Sequence, residues 1–248
     1  RLLRRHGVRA ELGPCGGECR RLIEPFQRWI LERRPWVTLK LAATLDGWIA
    51  DHAGHSRWIT GPAARRLVQQ ERRRADAILI GSGTARADDP ILVPRPALGR
   101  RPWRVVADAR GRTPPGARLL ATLRKGPVLV AVAKDCPARR IRALRAAGAE
   151  VAVLPAACGG GVDLRALMAE LGQRGVMHVL CEGGAELAGA LIRAKLVDEL
   201  LWFVAPLTLG VGRVAIAGPP QPLRRATRWR RVALQAAGDD VAIRLRPA

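Results

Sequence analysis

Short apolar runs alternate along this chain with stretches whose apolar positions recur every three or four residues. The runs Trp36–Ala43, Asp76–Gly81, Trp103–Ala107, Pro127–Ala133, Glu150–Leu154, Met177–Cys181 and Glu199–Ala205 read as buried strands. Helices are predicted over Thr60–Arg73, Ala138–Ala147, Asp163–Gln173 and Ala185–Lys195, the first with Thr60 as N-cap and Pro62 in its opening turn. An earlier helix over Gly17–Glu32 carries Leu22, Ile23, Phe26, Trp29 and Ile30 at helical spacing, and Pro35 ends the segment. Asp46-Gly47 marks a turn, and residues 81–95, rich in Gly, Asp and Pro, read as a loop. Two last runs, Arg228–Ala236 and Asp240–Arg246, look like an antiparallel pair around Gly238-Asp239. Strands alternating with helices predict an α/β fold: a mostly parallel central sheet, helices on both faces and an antiparallel C-terminal edge. One boundary is expected near Arg33–Arg34, dividing residues 1–34 from 35–248.

Composition adds a large basic excess. The 248 residues hold 43 Lys and Arg against 21 Asp and Glu, a net charge of +22. That balance raises nucleic-acid binding as a rival class. Against it, lysine is scarce (Lys40, Lys125, Lys134, Lys195), arginine is spread along the whole chain, and Tyr is absent, which leaves no stacking platform. Part of the charge suits an anionic, phosphorylated small molecule instead. No apolar run is long enough to span a membrane, and no apolar leader precedes a cleavage site. A cytoplasmic location is expected. The chain starts at Arg1 and not at Met, as a processed chain or a fragment does.

Five cysteines without an export signal argue against a disulfide framework. Cys136, Cys158 and Cys181 read as small bystanders. Pro14-Cys15 and Cys19 imitate half of a zinc-deaminase motif, but His6 lacks the glutamate two residues on that this chemistry needs. Zinc, which takes three or four ligands, is not expected.

Three segments carry candidate chemistry. In CEGGAELAGAL a strand ends at Cys181, Gly183-Gly184 turn, and a helix opens at Ala185. Such a turn brings free N–H groups to a phosphate; its plain alternative is a turn that needs glycine. Glu182 stands at the carboxyl end of a parallel strand, where open α/β sheets bind ligands; a surface glutamate near a helix N-terminus is its plain alternative. In GTARADDPILVPR, Asp88 can meet cofactor hydroxyls or move a proton, or be a solvated turn, with Arg95 seven residues on. In SRWIT, Ser56 can meet a phosphate and Trp58 a flat ring, or Trp58 can be core.

Together these pieces resemble a known family. LKLAATLDGWIA, SRWITGPAARR, ADAILIGSGTARADDPIL, RVVADARGR, LCEGGAELAGALIRAKLVDEL and APLTLG follow in the order and spacing of the reductase domain of the bacterial bifunctional riboflavin-biosynthesis deaminase–reductase. The resemblance covers about Pro35 to Gly210. It implies a dihydrofolate-reductase-like fold and NADPH-dependent reduction of 5-amino-6-(5-phosphoribosylamino)uracil. It implies cofactor contacts at Ala42, Trp58, Thr84, Asp88 and the turn Gly184, Ala185, Glu186, Leu187, Ala188, Gly189 and Ala190. It implies substrate contacts at Ser56, Arg72, Leu92, Arg95 and Glu182, and arginine forks match phosphate oxygens. The proton donor stays open among Asp88, Lys40, Glu182 and a bound water. Two positions depart from the family: Ala109 stands where serine is frequent, and Arg57 where glutamine is.

HGVRAELG and the helix ending EPFQRWILERRPWVTLK are similar to the tail of the same family's deaminase domain, whose catalytic part is missing here. Deamination must then come from a missing N-terminal domain or a separate protein. The resemblance also implies a homodimer, and the apolar segment Leu196–Pro206 is either part of that interface or an ordinary core strand. Rival readings are a reductase of the related diaminopyrimidine ribosyl phosphate, a remnant that only pairs with a deaminase, and a basic nucleic-acid-binding protein.

Overall fold

The computed structural model describes residues 2–11, 13 and 15–248, so Pro14 of the cysteine motif lies outside the described residues. In chain order the elements are α1 (Leu2–Arg5), α2 (Gly16–Glu32), β1 (Trp36–Thr44), β2 (Trp48–Asp51), α3 (Pro62–Arg74), β3 (Ala77–Gly81), α4 (Ser82–Asp88), β4 (Trp103–Ala107) and α5 (Arg118–Ala121). They continue as β5 (Val128–Ala133), α6 (Ala138–Ala146), β6 (Glu150–Leu154), α7 (Leu164–Gln173), β7 (His178–Cys181), α8 (Ala185–Arg193), β8 (Glu199–Ala205), β9 (Gly212–Val214), β10 (Trp229–Ala237) and β11 (Asp240–Pro247).

Nine strands form one sheet in the order β10-β11-β8-β1-β7-β3-β4-β5-β6. All pairs from β8 to β6 are parallel, and β11 and β10 add an antiparallel edge. Both faces of the parallel part are buried. This explains why its strands read as unbroken apolar runs and not as alternations. Leu39, Leu41 and Ala43 of β1 pack with Leu167 and Met168 of α7 and Leu187 and Ala188 of α8. Ile78 and Ile80 of β3 pack on the opposite face with Ala85 of α4, Leu119 of α5 and Leu144 of α6. Ala64 and Val68 of α3 cover Phe203 and Ala242 on that second face.

The differences from the sequence reading have local causes. α3 begins at Pro62 with Gly61 as N-cap, and no side chain caps it. Thr60 is therefore not the cap. Pro62 supplies the helical φ, and the Gly61 N–H donates instead to Asp240 on β11 at 2.7 Å. Within the expected loop, residues 82–88 form α4, which closes at Asp89 in the left-handed region (φ 39°). This helix has only one buried apolar position, Ala85, so no periodicity announces it. β2 and β9 form a separate antiparallel pair that the sequence reading lacked. The Leu196–Pro206 segment holds β8, a central strand between β1 and β11, so its apolar character belongs to the core.

Two contacts set how the remaining pieces sit. A Cβ at Gly189 of α8 would lie 1.7 Å from the Ala217 carbonyl oxygen. The strap after β9 thus runs directly on the helix, and the Ala217 N–H donates to the Ala185 carbonyl at 3.0 Å. At the N-terminal end, the Trp29 indole donates to the Gly172 carbonyl at 2.8 Å, and Arg246 forks onto Glu24 of α2. Yet Leu22 of the same helix is 82% exposed, and Ile23, Phe26 and Ile30 are exposed as well. The amphipathic stripe of α2 is docked at one side only.

Candidate functional site

The carboxyl ends of β1 and β7 carry the most concentrated chemistry. Leu39 pairs with Cys181 in the parallel register. Lys40 and Glu182, each one residue further on, therefore sit side by side. The Glu182 N–H donates to the Leu79 carbonyl at 2.9 Å, which holds it against β3. From α3, Arg72 reaches across the rim. Its Nε meets one Glu182 oxygen at 2.6 Å and its Nη2 the other at 2.8 Å. Its Nη1 donates to the Val93 carbonyl at 3.3 Å. A two-pronged pair of this kind fixes both side chains in direction as well as in charge.

Electrostatics follow from that packing. Burial pushes the Lys40 ammonium below the ordinary lysine range and nearby Arg72 adds to this, while Glu182 opposes it. Burial alone would raise the Glu182 carboxyl, but Arg72, by charge and hydrogen bonds, and Lys40 hold it below its usual value. Burial works against the Arg72 charge, and Glu182 more than compensates, so its pKa is raised. Lys40 Nζ also lies 5.9 Å from the centre of the Phe203 ring, a cation–π distance. A lysine easier to deprotonate than usual beside a fixed carboxylate is suited to giving up and regaining a proton.

Next along the rim lies the turn that opens α8. Gly184 is the N-cap, and the first ladder bond runs from the Ala188 N–H to the Gly184 carbonyl at 3.0 Å. The N–H groups of Ala185, Glu186 and Leu187 precede that bond and point out of the helix start. A Cβ at Gly183 would stand 2.6 Å from Leu187, and one at Gly184 3.3 Å from the Thr84 hydroxyl. Glycine is needed here to keep a backbone cradle open, with Thr84 of α4 on its far wall. The cradle fits a pyrophosphate. Glu186 is exposed, whereas Leu187, Ala188 and Gly189 are buried. The Leu187 and Ala188 side chains face the core and Gly189 has none, so these three offer a ligand only backbone.

The other expected positions spread over the surrounding loops. Ala42 lies on the same face of β1 as Lys40, against the α3 cluster. Asp88 ends α4 half-buried, and its carbonyl is 3.4 Å from Arg57 Nη2. Leu92 is buried. Arg95 is exposed, and its backbone N–H is held by Gln69 at 2.8 Å. Ser56 is exposed beside Trp58, which is 70% exposed and carries Arg65 Cζ 4.5 Å from its ring centre. Trp58 is thus not core. The site pairs Arg72 with Glu182, places Lys40 near enough to feel both charges, and leaves Ser56 and Arg95 as surface groups. Arg72 spends its Nε and one Nη2 donor on Glu182. Among the described residues, no three His, Cys, Asp or Glu side chains converge on one point.

A family model described as the RibD C-terminal domain matches residues 35–243. The chain belongs to that family. "Riboflavin biosynthesis protein RibD" of Chlamydia pneumoniae is 34% identical over 88% of this chain, which spans 58% of that protein's length. The RibD structure from Acinetobacter baumannii has a TM-score of 0.85 at 30% identity and covers all of this chain, while the chain covers 67% of it. A diaminohydroxyphosphoribosylaminopyrimidine deaminase/5-amino-6-(5-phosphoribosylamino)uracil reductase from Thermotoga maritima has a TM-score of 0.83 at 27% identity, with 66% of that chain covered. The RibD-type frame thus accounts for the parallel sheet and for the loops at its carboxyl rim.

Two residues of this frame escaped sequence reasoning. Arg104 of β4 is fully buried. It donates to the Ile91 carbonyl at 3.3 Å, the Thr122 hydroxyl at 2.9 Å and the Thr122 carbonyl at 3.0 Å, and also meets the Gly126 carbonyl. Burial pulls its pKa down to about 10. It ties the loop bearing Leu92 and Arg95 to the sheet. Asp108, 1% exposed at the end of β4, accepts from the Thr113 N–H at 2.6 Å and the Thr113 hydroxyl at 2.8 Å. The Asp-x-Arg-Gly-x-Thr spacing was the available signal for this locked turn.

Proposed function

We propose that this chain reduces 5-amino-6-(5-phosphoribosylamino)uracil to 5-amino-6-(5-phosphoribitylamino)uracil with NADPH, within riboflavin biosynthesis. Membership of the RibD C-terminal domain family supports the class of reaction. The single observation that carries the site is the Arg72–Glu182 ion pair at the carboxyl rim, with Lys40 close enough to feel both charges, next to the glycine cradle of α8.

When bound, NADPH supplies the hydride. The α8 cradle and Thr84 fit its pyrophosphate, and Ala42 leaves room on β1 for a flat ring. Asp88 would meet its hydroxyls. Glu182, its charge fixed by Arg72, accepts hydrogen bonds from the sugar of the substrate. Lys40 holds a proton at Nζ for the atom that gains it, and its lowered pKa makes that transfer easier. Arg95 and Ser56, exposed at the mouth, take the ribose phosphate. Arg72 acts chiefly by positioning Glu182. Residues 1–34 belong, on this reading, to the end of a deaminase domain. The deamination step is supplied elsewhere, and the enzyme works as a cytoplasmic homodimer.

The test is NADPH consumption with the phosphoribosylaminouracil as substrate. Turnover that needs the substrate and is lost in Lys40→Met supports the reading. Absence of NADPH oxidation by the folded protein overturns it.

A further inference from the structure

The rim loop after α4 holds a strained backbone. Residues 89–95 form neither helix nor strand, and two of them, Asp89 (φ 39°) and Leu92 (φ 56°), stand in the left-handed region without being glycine. A leucine persists there only where its surroundings fix it. The Arg118 N–H donates to Asp89 Oδ1 at 2.8 Å. Arg104 Nη1 donates to the Ile91 carbonyl at 3.3 Å. The Leu92 side chain is buried with Ile80, Ala85 and Leu119. Arg72 Nη1 donates to the Val93 carbonyl at 3.3 Å, and the Arg95 N–H donates to Gln69 at 2.8 Å. The carbonyls on either side of Leu92 are thus each held by a guanidinium group, one from β4 and one from α3.

The place of Arg104 is a costly one for a charge. It lies on β4 in register with Ile78 of β3 and Val128 of β5, on the face that also buries Ile80, Val106 and Val130. Among the described residues no carboxylate pairs with it, and its Nε is buried without a partner. An apolar side chain would fill this space without burying a charge. Packing gives no reason for an arginine here, so the reason lies in what its Nη groups hold. Three bonds, to the Thr122 hydroxyl, the Thr122 carbonyl and the Gly126 carbonyl, fix the plane of the guanidinium against the lead-in to β5. The fourth presents Nη1 to Ile91.

We propose that Arg104 is a positioning residue for the substrate half of the site: through the Ile91 carbonyl it sets the bend at Leu92, and through the Val93 carbonyl the place of Arg72 and of the Glu182 carboxylate forked onto it. The assignment rests on the reductase reading above, in which Leu92, Arg95 and Glu182 meet the substrate. The cofactor half has its own ties. Asp88 precedes the Asp89–Arg118 bond, and the start of α8 is held by the strap at Ala217. Arg104 therefore acts on one ligand and not on the other.

The test compares Arg104→Met and Arg104→Lys in the intact chain. In Arg104→Met, kcat/KM for the phosphoribosylaminouracil should fall by about ten- to a hundred-fold, while NADPH affinity measured by direct titration stays unchanged. Arg104→Lys keeps a charged donor and should recover part of the loss. The lysine variant also carries the test if the methionine variant does not fold. Hydrogen exchange should quicken at the amides of 89–95 and stay as it was at 184–190. In a double-mutant cycle, Arg104→Lys and Arg72→Lys should be strongly non-additive in kcat/KM, because both act through the same loop. Equal losses of substrate kcat/KM and NADPH affinity overturn the proposal, and so does faster exchange spread over the whole sheet, since either makes Arg104 a plain structural residue. Unchanged kinetics in a folded variant overturn it as well, as do additive effects in the cycle. If the wild-type protein does not oxidise NADPH with the pyrimidine, exchange quickened at 89–95 alone keeps Arg104 as the holder of the loop and removes only the substrate assignment.

Discussion

The two ends of the carboxyl rim use the same residue type in opposite ways. At the β1–β7 end, Arg72 is turned inward and matched to Glu182, with side chains only 17% and 11% exposed. At the β4–β5 end, Arg86 and Arg112 are exposed and matched to nothing on the described chain. A guanidinium forked onto a carboxylate spends two of its N–H donors there and holds that neighbour in place. An unmatched group on a rigid turn remains available to an incoming anion. Charge balance, more than arginine content, separates positioning from binding.

The largest effect should come from breaking the matched end. Glu182→Ala leaves Arg72 charged, largely buried and unpaired, and should cost about 3–5 kcal/mol of stability by denaturant unfolding. Arg86→Ala should stay within about 0.5 kcal/mol. A stable Glu182→Ala protein would erase the distinction. Glu182→Gln keeps the shape but removes the charge, and kcat/KM should fall by about 1–3 kcal/mol of transition-state stabilisation. The position of Arg72 means that some stability is lost with it.

A smaller effect is expected at the mouth. Arg95→Ala should raise substrate KM by about ten- to a hundred-fold and leave NADPH affinity unchanged. A substrate without its phosphate should show little of this loss. Equal losses for both ligands would make Arg95 structural.

The pH profile sharpens the comparison further. Glu182 has a lowered pKa in the folded state, so its stabilisation is complete above the unfolded carboxyl value and is lost as pH falls through the folded one. Lys40 is also lowered. Its charge destabilises the fold at pH below the folded value, and this cost disappears as pH rises toward the ordinary 10.5 of lysine. If protonated Lys40 gives the proton, kcat/KM falls on the alkaline side at a pH below 10.5. In Lys40→Arg that limb should vanish or move well upward. An unchanged limb would shift the donor role to Asp88 or water.

Salt should give the smallest response. Raising ionic strength screens exposed charges more than buried pairs. NADPH affinity should therefore fall with salt while unfolding free energy changes by less than about 1 kcal/mol. The reverse pattern would mean that the matched end is the more open of the two.

Much of this architecture is legible in the sequence because both faces of the parallel strands are covered. Continuous runs such as VLVAVA in β5 leave few alternatives, and the β6 and β8 limits, Glu150–Leu154 and Glu199–Ala205, agree with the sequence reading. Glu182 is placed by the end of an apolar run and the glycines after it. What is not legible depends on partners distant in the chain. The Arg72–Glu182 pair joins residues 110 positions apart, and nothing local to either residue announces it. β2 and β9 are short, and they pair across most of the length of the chain. The face of α2 is legible as a stripe, but periodicity reports only that a stripe exists and says nothing of what covers it.

Gly189 works as a gauge block between two parts of the machine. The carbonyl of Ala217 occupies the space where any other residue would carry its first carbon. Even Gly189→Ala must lift the strap or tilt α8. The same helix start presents the N–H groups of the cradle, and the Ala185 carbonyl beside them is held by the strap. A single added methyl group, remote from every charged group of the site, would therefore detune the cradle and the β2–β9 pair together.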